Sequence, residues 1–246
     1  MSPLRLGLIF LATLLVALIA TAPLRLVLDA AGGQSRLGFV SAYGSIWQGR
    51  VYGVRLGGNP IREVRVSLQP GSLMTGALAG RWSIADSSMG GEGEGEIRAN
   101  GDWRMRAVEA NATLSRLGLD GWPGLDPTER VFVRLDALAF REGACIEAAG
   151  EVRTGALITL ARAFGADGPP LTGSLACDDG VLRLDYSGRS ADVGVSGRIL
   201  FDVEGYAWTA RIETSLADLA DALAVAGFEQ ADGDWVGEGR GRYEGG

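Results

Sequence analysis

Apolar residues recur at every second position along most of this chain. Val64, Val66 and Leu68 alternate with Glu63, Arg65 and Ser67, and Leu78, Gly80, Trp82 and Ile84 alternate with small or polar neighbours. Trp103, Met105 and Ala107 interleave with Arg104 and Arg106, and Val131, Val133 and Leu135 with Phe132 and Arg134. The spacing returns at Val193, Val195, Gly197, Ile199 and Phe201, and at Tyr206, Trp208, Ala210 and Ile212. A period of two sends successive side chains to opposite faces, so each run predicts a strand with one apolar and one wetter face. Gly57-Gly58-Asn59-Pro60, Asn100-Gly101-Asp102 and Cys177-Asp178-Asp179-Gly180 separate the runs with turn chemistry. The expected fold class is all-β: an N-terminal transmembrane helix, then a mostly antiparallel, curved β-sheet or meander of about ten short strands.

One or two short helices interrupt this pattern. Ser215-Leu216-Ala217-Asp218 has the form of a capping box, Leu216, Leu219, Leu223 and Ala226 share one helical face, and Gly227 stops the run. Ala156 to Phe164 is a weaker version, with Leu157, Leu160, Ala161 and Phe164 on one face. Both read as helices plugging an edge or end of the β layer. A glycine followed by a charged residue opens several strands, as at Gly49-Arg50, Gly150-Glu151 and Gly197-Arg198, yet no fixed repeat length emerges.

The N-terminus obeys a different rule. Leu6 to Ala22 is a continuous apolar run softened only by Gly7, Thr13 and Thr21, and closed by Pro23-Leu24-Arg25. At about 1.5 Å per helical residue it reaches roughly 25 Å, the short end of a bilayer span. Ala20-Thr21-Ala22 also resembles a signal-peptide cleavage site, although cleavage there would leave Pro23 at the mature N-terminus. An uncleaved anchor and a cleaved signal both export the rest of the chain. The expected organisation is a membrane anchor over residues 1–28 and a β-rich domain over 29–246.

Charge and residue choice narrow the chemistry. The net charge of −7 argues against nucleic acid and against anionic lipid heads, since both need clustered positive charge. There is no histidine, and every basic residue is arginine. Histidine-based triads, the HExxH zinc motif and lysine nucleophiles are therefore excluded. The carboxylates Glu92, Glu94, Glu96, Asp178 and Asp179 sit in glycine-rich sequence that reads as solvated turns. No catalytic, cofactor-binding or metal-ligating residue is assigned, and an enzyme is not expected.

Cys145 and Cys177 are the two thiols. In a reducing compartment they would be small hydrophobes; in an oxidising one they are expected to form a disulfide between neighbouring strands, or between a strand and a loop. Two cysteines without histidine or a CxxC pair cannot complete a tetrahedral metal shell.

One segment carries identity. In Tyr43-Gly44-Ser45-Ile46-Trp47-Gln48-Gly49-Arg50-Val51, Gly44 permits a tight turn, Trp47 is expected to pack as a core aromatic, and Gly49 allows close backbone approach. A later strand then runs into Pro70-Gly71-Ser72-Leu73. Together with the apolar N-terminus, the cysteine pair and the helix at Leu216 to Leu223, this resembles the type II secretion system protein N family. Gly44, Ser45, Trp47 and Gly49 carry its Gly-[ST]-[LIV]-Trp-x-Gly signature. The arginine-rich strands and the glycine-rich tail Gly237 to Gly246 depart from the pattern without touching that signature.

The resemblance implies a single-pass protein of the bacterial inner membrane, held through Leu6–Ala22, with its C-terminal domain in the periplasm. It would be an accessory or structural component of the type II apparatus, touching the secretin or the inner-membrane platform. A curved β-groove handling lipid or another hydrophobic ligand is the alternative that the alternating strands leave open.

Overall fold

Alternation in the sequence becomes antiparallel pairing between sequence neighbours. A computed structural model describes residues 7, 10, 21–25, 38–55, 60–117 and 124–242. The contacts divide the chain into two compact units, Met1–Asp86 and Ser87–Gly246. No described helix is long and apolar enough to cross a membrane, and the expected anchor Leu6–Ala22 lies almost wholly outside the described residues.

The first unit contains β1 (Ser41–Ser45), β2 (Gln48–Val54), β3 (Ile61–Leu68) and β4 (Ala77–Ala85), each paired antiparallel with the next. Val51, Val64 and Ile84 stand opposite one another across β2, β3 and β4, as do Gly49, Val66 and Trp82. Opposite residues share a face, so these rows form the apolar side. Strand β3 passes through Gln69 into a 3-10 turn at Pro70–Thr75. Proline suits the start of that turn because the N–H it lacks would have had no partner within it.

The second unit contains β5 (Met89–Arg98), β6 (Trp103–Thr113), β7 (Arg130–Arg141), β8 (Ala144–Thr154), β9 (Leu171–Asp178), β10 (Val181–Arg189), β11 (Val193–Phe201), β12 (Gly205–Thr214), β13 (Glu229–Ala231) and β14 (Asp234–Arg242). Sheet order follows sequence through β12, after which β14 pairs with β12 and β13 lies outermost. Helices α1 (Ala156–Arg162) and α2 (Ala217–Val225) follow β8 and β12, and a 3-10 turn at Ser115–Leu117 follows β6. Antiparallel alternation puts all three connections at one end of the sheet. The two-residue turns Glu142-Gly143 and Asp179-Gly180 occupy the other end. Both residues of each turn have positive φ, the geometry that matches strand twist in a tight hairpin.

Glycines close both helices. Gly227 has φ 88°, its N–H bonds to the Ala224 carbonyl, and the Phe228 N–H reaches back to Leu223. Gly165, Ala166, Arg162 and Ala161 repeat this paired arrangement after α1. The N-terminus of α2 differs from expectation. The helix begins at Ala217 and has no side-chain cap; the Thr214 hydroxyl instead accepts the Leu216 N–H. Ser215 therefore lies one position too early to close a capping box.

Two glycine-rich segments also depart from the sequence reading. Glu92, Glu94 and Glu96 lie inside β5, and Gly237–Arg242 belongs to β14. The alternation of β6 slips a step at a bulge where Ala107 adopts φ 48°, leaving Ala107 exposed and Val108 buried. A second slip in β7 between Leu135 and Ala137 matches it, so Leu138 rather than Ala137 faces the interior. A bulge inserts an extra residue and so shifts which side chains face inward.

One apolar cluster among the described residues gathers Ala161, Ala166, Val193 and Val195, packed by Leu157, Leu171, Tyr186, Ile212, Leu216 and Leu219. It draws from both helices and from β9 to β12. Burial of this face against α1 and α2 fixes the helix-bearing end of the sheet.

Candidate functional site

The signature residues converge on the tip of the β1–β2 hairpin. Ile46 and Trp47 form the turn between Ser45 and Gln48. The Gln48 N–H points to Ser45 Oγ at 3.4 Å, and the Ile46 N–H donates to the Ala22 carbonyl at 3.2 Å. Gly44 has φ 89°, and a β-carbon there would meet the Gln48 carbonyl oxygen at 2.3 Å. Gly49 leaves room for a different neighbour: its missing β-carbon would lie 2.2 Å from Leu24 Cδ2. Trp47 is half-buried at the turn, where a fully enclosed core aromatic was expected.

Leu24 and Pro23 are the partners that the sequence pattern did not reveal. Pro23 forms a bridge with Ser45, and Leu24 is buried. The signature thus encodes a socket for the segment immediately after the apolar N-terminal run. On the hairpin, Tyr43 and Tyr52 meet edge-on with ring centroids 6.0 Å apart. They line a shallow depression with Ser41, Gln48 and Arg50.

Cys145 and Cys177 are joined in a disulfide with Cα atoms 5.5 Å apart. The bond links β8 to β9 beyond the last paired residues of that ladder, Gly150 and Leu175. The Cys145 N–H also donates to the Gly180 carbonyl at 2.7 Å. The disulfide fastens the hairpin end of the sheet, opposite the end packed by α1 and α2. The signature lies in the first unit and the disulfide in the second.

The two faces of the second unit differ sharply in chemistry. Away from the helices, the apolar face holds Trp103 stacked on Phe140 at 4.6 Å, while Ile97 remains 60% exposed. On the opposite face, Arg198 Nε donates to Asp185 Oδ1 at 2.7 Å, Arg189 to Glu213 at 2.7 Å, and Arg211 to Asp234 at 2.9 Å. Arg183 bonds Asp178 at 2.7 Å and brings its Nε within 2.8 Å of Asp185 without hydrogen-bond alignment, so that second contact is electrostatic. The hydrogen bond from Arg198, with Arg183 beside it, holds the Asp185 carboxyl below its ordinary range. Tyr186, on the apolar face, lies across Gly197 and donates to the Thr209 carbonyl at 3.1 Å. Burial raises its pKa.

Among the described residues no group of three or more carboxylates and thiols is arranged to hold a metal ion. These surfaces present exposed aromatic rings, Tyr43 and Tyr206 among them, and paired charges.

Comparison with known proteins agrees with the hairpin signature. No curated protein and no solved structure matches the chain. A family model described as type II secretion system (T2SS), protein N matches residues 35–236, from before β1 into β14. On that match, which spans most of its length, the chain belongs to the type II secretion system protein N family.

Proposed function

We propose that this protein is an accessory component of the type II secretion apparatus, anchored in the inner membrane by Leu6–Ala22 and acting in the periplasm through protein–protein contacts. Residues 1–28 form the anchor in this reading and residues 29–246 the periplasmic part. The family match over residues 35–236 is the observation that carries it. The disulfide supports an oxidising compartment, and the apolar run supports the anchor. Function here is assembly, with no chemical turnover.

Deleting the gene in its own bacterium and measuring secreted protein tests the reading, together with co-purification of the tagged full-length chain. Loss of secretion and recovery of the secretin or the inner-membrane platform support it. Unchanged secretion with neither component recovered would refute it.

The half-exposed apolar face around Ile97, Trp103 and Phe140 favours a second reading, the handling of lipid or another hydrophobic ligand. Native mass spectrometry of the protein extracted from its own membranes tests this. A bound lipid of defined mass supports it, and lipid-free protein excludes it.

A further inference from the structure

Two turns of the first unit close the same end of its strands. From the opposed pair Gly49 and Val66, β2 runs back to the Ile46-Trp47 turn and β3 runs forward into the 3-10 turn Pro70–Thr75. This end is apolar. Met74 is 93% exposed, Leu78 50% and Leu73 44%, while Ile46 and Trp47 are half-buried. Residues 45–48 and 69–79 include no charged side chain. The opposite end of the same strands carries Arg55, Arg62 and Asp86, and the Arg62 N–H donates to the Asp86 carboxylate at 2.9 Å.

Hydrogen bonds within the 3-10 turn pair many of its polar groups with one another. The Ser72 hydroxyl donates to the Gln69 carbonyl at 2.7 Å and accepts the Ala79 N–H at 3.1 Å. The Thr75 hydroxyl donates to the Ser72 carbonyl at 2.8 Å, and the Gly76 N–H to the Leu73 carbonyl at 3.1 Å. Polar groups already paired lose little when water is withdrawn from around them.

The chain enters the unit at this same end. The Ala22 carbonyl accepts the Ile46 N–H at 3.2 Å, Pro23 bridges Ser45, and Leu24 lies on Gly49. Ala22, Pro23 and Leu24 thus run from the turn onto the hairpin, so the apolar run Leu6–Ala22 joins the sheet at its uncharged end. Arg50 and Arg81, both exposed, are set back from the turns along β2 and β4.

Given the anchoring of Leu6–Ala22 in the inner membrane, on which this inference rests, we propose that the uncharged end of the first unit sits in the same bilayer. Its two turns occupy the layer between headgroups and acyl chains. A span that ends at Ala22 brings Ile46 and Trp47 to that boundary, because Ala22 and Ile46 are hydrogen-bonded to each other. Tryptophan favours the boundary, where its apolar ring and polar N–H are both accommodated. Leu73, Met74 and Leu78 enter beside it, and contact is stabilised by the apolar area removed from water. Arg50 and Arg81 keep their charged heads among the lipid headgroups. Insertion of this kind needs no excess of positive charge, so the net charge of −7 does not oppose it. The contact holds the first unit against the membrane surface.

Nitroxide labels test the proposal in full-length protein reconstituted into vesicles of phosphatidylethanolamine and phosphatidylglycerol. Cys145 and Cys177 are disulfide-bonded, so an added cysteine is the one reactive thiol. Met74→Cys and Gln48→Cys report the two turns, Arg62→Cys the opposite end and Leu14→Cys the anchor. Met74, Gln48 and Arg62 are exposed, and circular dichroism checks that each variant folds. Power saturation compares collisions with oxygen, which concentrates in lipid, against collisions with a water-soluble nickel chelate. The oxygen-to-nickel ratio at both turns is expected to exceed that at Arg62→Cys about threefold or more. Turn labels as wet as Arg62→Cys, with Leu14→Cys in lipid, would overturn the proposal and leave the anchor standing. A wet Leu14→Cys would overturn the anchor and this proposal with it. Turn labels shielded from both relaxants would mark a protein contact in place of lipid, and would also overturn it.

Discussion

Leu24 packs onto the bare α-carbon of Gly49. A β-carbon at that position would lie 2.2 Å from Leu24 Cδ2 and 3.0 Å from the Ser45 carbonyl oxygen. The glycine is therefore a contact surface for a residue outside the hairpin. Gly49→Ala should destabilise the first unit by about 1–3 kcal/mol through overpacking. Shortening the partner in a Leu24→Ala, Gly49→Ala double variant should recover part of that loss. Thermal unfolding of the two single variants and the double variant measures it. Additive losses would show that the two residues act independently.

Removing the disulfide should lower stability by up to about 3–4 kcal/mol, less if the reduced chain keeps residual structure. Denaturant unfolding of a Cys145→Ser, Cys177→Ser variant against the parent gives the value. The first amides to lose hydrogen-exchange protection should lie near Cys145 and the Asp179-Gly180 turn, where the β8–β9 ladder has already ended.

Alkaline pH should weaken the second unit through Tyr186. Burial raises its pKa in the folded state, so the folded chain binds a proton that the unfolded chain releases first. The contribution is fully present below the unfolded value near pH 10 and is lost as pH rises toward the higher folded value. Tyr186→Phe should flatten that alkaline limb of stability against pH. It should also lower stability at neutral pH, because the bond to the Thr209 carbonyl is gone.

Acid pH acts on Asp185 in the opposite sense. The Arg198 hydrogen bond lowers its folded-state pKa, so its contribution is present above the unfolded value and is lost as pH falls through the folded one. Both charges are substantially exposed, which screens the pair. Asp185→Asn should therefore change the unfolding midpoint less than cysteine removal does, and the change should shrink at high salt.

Gly227→Ala should cost about 1 kcal/mol or more, since φ 88° at this position strains any β-carbon. The variant is checked by thermal unfolding and by loss of amide protection at Phe228, whose N–H closes α2 onto Leu223.

Strands with apolar side chains were legible in the sequence because a residue such as Val64 or Trp208 stands opposite another apolar residue, Ile84 or Ile199, on the neighbouring strand, so the period of two marks one shared face. The glycine-rich strands were not. In β5 and β14 the apolar face is supplied by partners, as where Trp208 covers Gly239, so the strand itself shows little hydrophobic pattern. Ala107 misled for a different reason. A bulge moves the inward position to Val108, and nothing in the local alternation marks the slip. The hairpin signature was visible as residue types, but its meaning depends on Leu24, which sits twenty-five positions before Gly49 and belongs to no periodic run.

Pairing in sequence order within each unit has a consequence for how the chain matures. Contacts between neighbouring hairpins span little sequence, and such local topologies form faster than those requiring distant segments to meet. Each new hairpin emerging during synthesis finds its template already in place, and the covalent link between β8 and β9 also joins consecutive strands. The exception is the end of the chain: β14 must be made before β12 gains its second neighbour, with α2 and β13 intervening. Until then the β12 edge stands uncovered, so truncation before residue 234 should yield a chain prone to aggregate through that edge.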